Sequence, residues 1–196
     1  MNRNIILIIT FVILFGVYQK FRLLPSSFTA CPGTPRVTLQ RCHLDHALGL
    51  VKKKDIGGAL QHVRTVAHHE LSPAEIHFLL HEVGLATYRE VHDVHKAIAY
   101  AAPFISTPWQ VTEYDGYRHG VFQAYFSEQK SVKSTSELIR EACGPYFNLP
   151  DDERRPHEVY FGRDCFHAAG HAIMFAGSND VFMALQHCDD LPKPWM

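Results

Sequence analysis

Two histidines stand four residues apart in the stretch RDCFHAAGHAIMFAG, where His167 and His171 are separated only by small residues. On a helix such a pair lies on one face, with about 5–6 Å between the Cβ atoms. That spacing suits two imidazole ligands of a single metal ion, and zinc is often bound by such side chains. The stretch therefore predicts a metal site carried by a helix.

The same spacing recurs twice upstream. Residues 77–86 (HFLLHEVGLA) and 115–124 (DGYRHGVFQA) align with 167–176 (HAAGHAIMFA), with histidine at the fifth position and alanine at the tenth. A histidine or an aspartate precedes each fifth-position histidine by four residues. Three segments related in this way favour a helical repeat stacked around a shared polar centre. The candidate ligands are His77, His81, Asp115, His119, His167 and His171.

Six candidate ligands exceed the four that one tetrahedral zinc ion takes. Either two metal ions bind, or some of the six orient the true ligands from outside the coordination sphere. Imidazole combined with carboxylate suits zinc or iron. If the site is catalytic, we expect hydrolysis by metal-activated water, with Glu82 beside His81 as the candidate base. Whether the domain is an enzyme stays open at this point.

Small residues accompany the candidate ligands. Alanines surround Gly170 between and after the last histidine pair, and Gly84 and Gly120 lie just after the fifth-position histidines of the other two segments. We expect these residues to let helix backbones approach closely, so that ligands from neighbouring helices converge. The alternative is a non-enzymatic interaction or structural domain, in which the small residues pack a tight helix crossing and the histidines are core residues bonded to backbone carbonyls.

Several functional classes are excluded by composition and motifs. The formal net charge of −1 disfavours a nucleic-acid binder, which would normally present a basic face. Leu85 stands where the second histidine of a zinc-peptidase H-E-x-x-H motif should follow His81 and Glu82. No G-x-S-x-G motif occurs, which disfavours a serine hydrolase. The identity of a protein or small-molecule partner is not indicated.

The N-terminus is almost wholly apolar over residues 4–18 (NIILIITFVILFGVY), and Lys20 and Arg22 can extend toward lipid headgroups. We expect an uncleaved, single-pass signal anchor that spans the membrane within residues 1–24. The alternative is a cleaved signal peptide and a secreted protein. Both interpretations place the rest of the chain outside the cytoplasm or in a lumen.

The domain organisation follows from composition. Residues 1–24 are predicted as the anchor or signal segment, residues 25–39 as a Pro/Ser/Thr-rich linker, and residues 40–196 as a histidine-rich domain. Helical patterns run through this domain without a series of alternating strands. We therefore predict an all-α fold of about seven or eight helices, packed as a helical-repeat-like bundle and preceded by the N-terminal hydrophobic helix. Its clearest helix starts at Ser72, where Glu75 completes a capping box.

Five cysteines occur, none of them in a C-x-x-C pair. An exported chain favours disulfides, and an odd number leaves at least one thiol unpaired within the chain. We expect one bridge among Cys143, Cys165 and Cys188, which lie in or at the ends of the last three helical segments.

The stretches 77–88 (HFLLHEVGLATY), 116–126 (GYRHGVFQAYF) and 165–174 (CFHAAGHAIM) together resemble an uncharacterised family of small helical, histidine-rich proteins. Motifs of the types C-H-x-x-x-H, C-Y-H-G-V and C-x-H-G-x-G-H recur in that family. The chain departs from it at Ile76 and Arg118, where cysteines are usual. The resemblance implies a helical chain and brings no activity with it.

Overall fold

Helices make up the fold in the part of the chain that the structure, a computed structural model, describes. No strand occurs among the described residues, which confirms the all-α prediction. The predicted N-terminal hydrophobic helix falls on residues 1–24, which lie outside them. The described residues are 31, 35–104, 108–130, 132–147, 165, 167–175 and 182.

Seven α-helices lie within the described ranges, in agreement with the predicted number. They are α1 (Arg36–Lys52), α2 (Ile56–His62), α3 (His68–Glu70), α4 (Pro73–Val91), α5 (Val94–Ala99), α6 (Pro108–Gln129) and α7 (Thr135–Phe147). The π-helical turn Val63–Ala67 joins α2 to α3, and a 3₁₀ turn, Ala102–Phe104, follows α5. Residues 167–175 form a further helical segment.

The start of α4 uses the predicted capping residues. The backbone N–H of Ser72 donates to the Glu75 carboxylate at 2.8 Å, and Pro73 occupies the first helical position, where no N–H is needed. Arg36, the first residue of α1, donates to both oxygens of Glu75 at 2.9 Å. The hydrogen bonds from Arg36 and Ser72 lower the pKa of Glu75 to about 2. The beginnings of α1 and α4 are thereby joined, although α1 begins within the predicted linker.

Helices α4 and α6 cross at very short range because glycines stand at the crossing. A Cβ atom built on Gly84 would lie 1.9 Å from the carbonyl oxygen of Tyr117, and one on Gly120 would lie 1.8 Å from the carbonyl oxygen of His81. No side chain fits at such distances against a rigid backbone. The expectation that Gly84 and Gly120 permit close helix approach is therefore confirmed.

Gly116 contributes to the same crossing, since a Cβ atom there would lie 2.3 Å from the carbonyl oxygen of His77. The expectation for Gly170 is wrong. A Cβ atom built on Gly170 meets no atom of the described residues within 4 Å, because this residue does not sit at a helix crossing in the described part of the fold.

The apolar core lies between these two long helices and their neighbours α1 and α2. Leu79, Leu80 and Val83 of α4 are fully buried, as are Val121 and Phe122 of α6. This packing holds α4 and α6 in one relative rotation, and it thus sets the direction in which their histidines face.

Two disulfides close the ends of the described fold. Cys31 pairs with Cys42 in α1, and Cys143 in α7 pairs with Cys165. The second bridge confirms the expectation of a pair among the last three cysteines, and Cys188 lies outside the described residues. Two disulfides are typical of a protein from an oxidising compartment. No helix among the described residues is long and apolar enough to cross a membrane.

Candidate metal centre

Three histidines from two helical segments converge. His119 lies on α6, and His167 and His171 lie on the segment 167–175; one ring nitrogen of each is within 4.8 Å of the other two. The rings of His119 and His171 stack with 4.4 Å between their centroids, and the His119 and His167 rings are 5.3 Å apart. We refer to these three residues as the His119 group.

The spacing of the His119 group fits a metal ion with a small adjustment. Because zinc binds an imidazole nitrogen at about 2.0–2.1 Å, two ligands of one ion are at most about 4.2 Å apart. Rotation of the side chains would draw the widest pair that close. His119 is 4% exposed, His171 is half-buried and His167 is exposed, so the group extends from the interior to the surface.

The Nε2 atom of His119 is buried and has no hydrogen-bond partner among the described residues. A buried polar atom left without a partner costs about 1–3 kcal/mol. Burial, followed by the neighbouring positive charges that His171 and His77 would carry, lowers the pKa of His119 to about 2. The imidazole is therefore neutral near pH 7 and keeps the lone pair that a metal ion requires.

His77 lies at the edge of this group. Its ring is 5.3 Å from the ring of His119, although its nitrogens are not among the three that converge. Burial lowers the pKa of His77, and the charge of Asp115 opposes that shift. His77 is thus a neighbour of the centre and not one of its three converging residues.

Asp115, the carboxylate among the sequence-predicted ligands, forms an ion pair with Arg118 one turn along α6. The Arg118 side chain is completely buried, and a buried guanidinium needs a nearby carboxylate. The structure therefore places Asp115 against a buried cation, next to the His119 group but not among its three converging nitrogens.

His81 and Glu82 lie together on α4, with 3.6 Å between His81 Nδ1 and Glu82 Oε1. The His81 ring is 5.9 Å from the ring of Phe175, and its Nε2 is buried without a partner among the described residues. The His81 ring thus contacts the segment 167–175 at the aromatic side chain of Phe175.

Two features hold the His119 group together. The glycine crossing fixes α6 against the turns of α4 that carry His77 and His81. The Cys143–Cys165 disulfide joins α7 to the residue two positions before His167, and both cysteines are fully buried. On the segment 167–175, Ala168, Ala169 and Ala172 are buried.

A second group of polar residues lies on α1, α2 and α3 and was not predicted from the sequence. It contains His43, His46, His62 and Glu70, and His43 is completely buried. The available signal was the i, i+3 pair of His43 and His46 directly after Cys42, which places both imidazoles on one helix face.

Comparison of the chain with family models, curated proteins and solved structures finds no match.

Proposed function

We propose that this chain is a membrane-anchored metalloprotein whose helical domain lies outside the cytoplasm and binds zinc or iron through the His119 group. The observation that supports this is the convergence of three imidazoles, one of which, His119, has a buried Nε2 without a hydrogen-bond partner among the described residues. The two disulfides support a location in an oxidising compartment.

Hydrolysis is the reaction that this ligand set favours. Catalytic zinc sites combine three protein ligands with an open position, whereas structural sites use four. A zinc or iron ion held by three imidazoles would act as a Lewis acid and activate water near neutral pH. We propose His77 as the proton acceptor, because its ring contacts His119 whereas Glu82 lies beside His81.

Cobalt substitution tests the proposal. Full-length protein in mild detergent would be stripped with a chelator and titrated with Co²⁺, whose visible absorption reports the ligand geometry. We expect a spectrum typical of three nitrogen ligands, a loss of intensity in His171→Ala, and metal-dependent hydrolysis of para-nitrophenyl acetate that falls in His77→Ala while metal binding is retained. An unchanged spectrum in His171→Ala would instead favour the structural alternative.

A further inference from the structure

The group formed by His43, His46, His62 and Glu70 lies where α1 packs against α2 and α3, and we refer to it as the His43 group. His43 Nδ1 is 3.1 Å from His62 Nε2, and His43 Nε2 is 3.0 Å from Glu70 Oε2. The ring of His46, one turn along α1, lies 4.5 Å from the ring of His62. All three imidazoles therefore meet at one place in the fold.

The His43 group is built in the same way as the His119 group. Each takes two histidines from one face of a helix and a third histidine from a neighbouring helical segment. A disulfide stands beside the pair in both cases: Cys42, bonded to Cys31, directly precedes His43, just as the bonded Cys165 comes shortly before His167. The two groups share no residue.

The contacts of His43 are compatible with metal ligation. Two imidazole nitrogens bound to one tetrahedral zinc ion lie about 3.3 Å apart, close to the separation of His43 Nδ1 and His62 Nε2. A ligating histidine usually gives its other ring N–H to a carboxylate, which fixes its tautomer and orientation. Glu70 is placed to accept that N–H from His43 Nε2.

We propose that the His43 group is a second metal site, selective for a divalent transition metal that prefers imidazole, such as Zn²⁺ or Cu²⁺. His43 and His62 supply two nitrogens after small ring rotations that replace their hydrogen bond, His46 supplies the third by turning its half-buried ring, and Glu70 orients His43. The alternative is that no metal binds and that His43 and His62 form an ordinary hydrogen bond with each other.

Two further features support ligation at this place. Burial lowers the pKa of His62 to about 4, with further lowering by His46 and His43, so the imidazole is neutral near pH 7. The π-helical turn Val63–Ala67 begins directly after His62. Such turns are frequent at functional sites in helices.

The test is a count of bound metal in full-length protein, stripped with a chelator and dialysed against Zn²⁺. We expect two equivalents in the parent protein and one in the variant His119→Ala/His171→Ala. In that variant background, His46→Gln should weaken the remaining site at least tenfold. The matched control is His69→Gln, an exposed residue of α3, which should leave the affinity unchanged.

Each result separates this site from the His119 group. One equivalent in the parent protein that is lost in His119→Ala/His171→Ala would overturn the second site and leave the first in place. One equivalent that is kept in that variant and lost on adding His46→Gln would support the second site against the first. Because His46 is only half-buried, circular dichroism should show that His46→Gln remains folded. An unchanged affinity in that folded variant would also overturn the proposal.

Discussion

The imidazole of His119 on α6 stacks on that of His171, with 4.4 Å between the ring centroids and 28° between the ring planes. The two residues belong to helical segments that are distant in the sequence, so the fold must bring them together. A glycine crossing fixes one segment and a disulfide holds the other. Both devices can be tested separately.

Gly120→Ala should destabilise the domain, because its Cβ atom would lie 1.8 Å from the carbonyl oxygen of His81. Forcing helix backbones apart in a packed core typically costs about 1–3 kcal/mol. Denaturation in urea measures this cost. Gly170→Ala is the matched control, since a Cβ atom there meets nothing among the described residues within 4 Å. It should be neutral or stabilising by up to about 1 kcal/mol, through helix propensity. Equal losses in both variants would argue against the close crossing.

Asp115→Ala should lower stability much more than it lowers metal affinity. The substitution breaks the ion pair between Asp115 and the buried guanidinium of Arg118, and breaking a buried pair costs about 3–5 kcal/mol. Urea denaturation and Zn²⁺ titration together give both quantities. If Asp115 is a ligand, as the sequence pattern suggests, the metal affinity will fall instead by an amount similar to that in His171→Ala.

Removing the second disulfide by Cys143→Ser/Cys165→Ser should weaken metal binding at the His119 group by at least tenfold. Without the bridge, the segment 167–175 loses its link to α7, and its two histidines meet His119 at a lower effective concentration. Cys31→Ser/Cys42→Ser removes the other bridge and serves as the control. The relevant affinity is that for the metal ion whose binding is lost in His119→Ala. If both double variants bind this ion equally well, the coupling is contradicted.

The metal-free protein should lose stability as the pH falls below about 6.5, the ordinary pKa of histidine. The pKa of His119 in the folded state is about 2, so in this range the unfolded chain binds a proton that the folded chain does not. One such group gives a slope of about 1.4 kcal/mol per pH unit once the pH is well below 6.5. Urea denaturation at a series of pH values from about 6 to about 4 measures the slope. His119→Leu should flatten it in part, because His62 contributes with the same sign. Parallel slopes would contradict the buried, neutral state of His119.

Much of the fold follows from local sequence signals. Ser72 and Glu75 start α4 as their spacing predicts, and Gly84 and Gly120 stand at a close crossing. These features depend on a few neighbouring residues or on the absence of a side chain. They can therefore be inferred before the packing is known.

The composition of the site could be predicted only in part. An i, i+4 pair shows that two side chains share a helix face, but the rotation of that face depends on the packing of the whole helix. His119 and the last pair converge, whereas His81 meets Phe175. Asp115 is paired with Arg118, a contact that the repeat pattern does not indicate.

The most direct test of the account is the metal content of the protein purified from an oxidising compartment, measured by inductively coupled plasma mass spectrometry. We expect His119→Ala to lose one equivalent of zinc or iron relative to the parent protein, while its disulfides and helix content are retained. The control is His92→Asn, because His92 is exposed and has a positive φ of 52° that asparagine tolerates better than alanine. Equal metal content in the parent, His119→Ala and His92→Asn proteins would contradict a metal centre at His119.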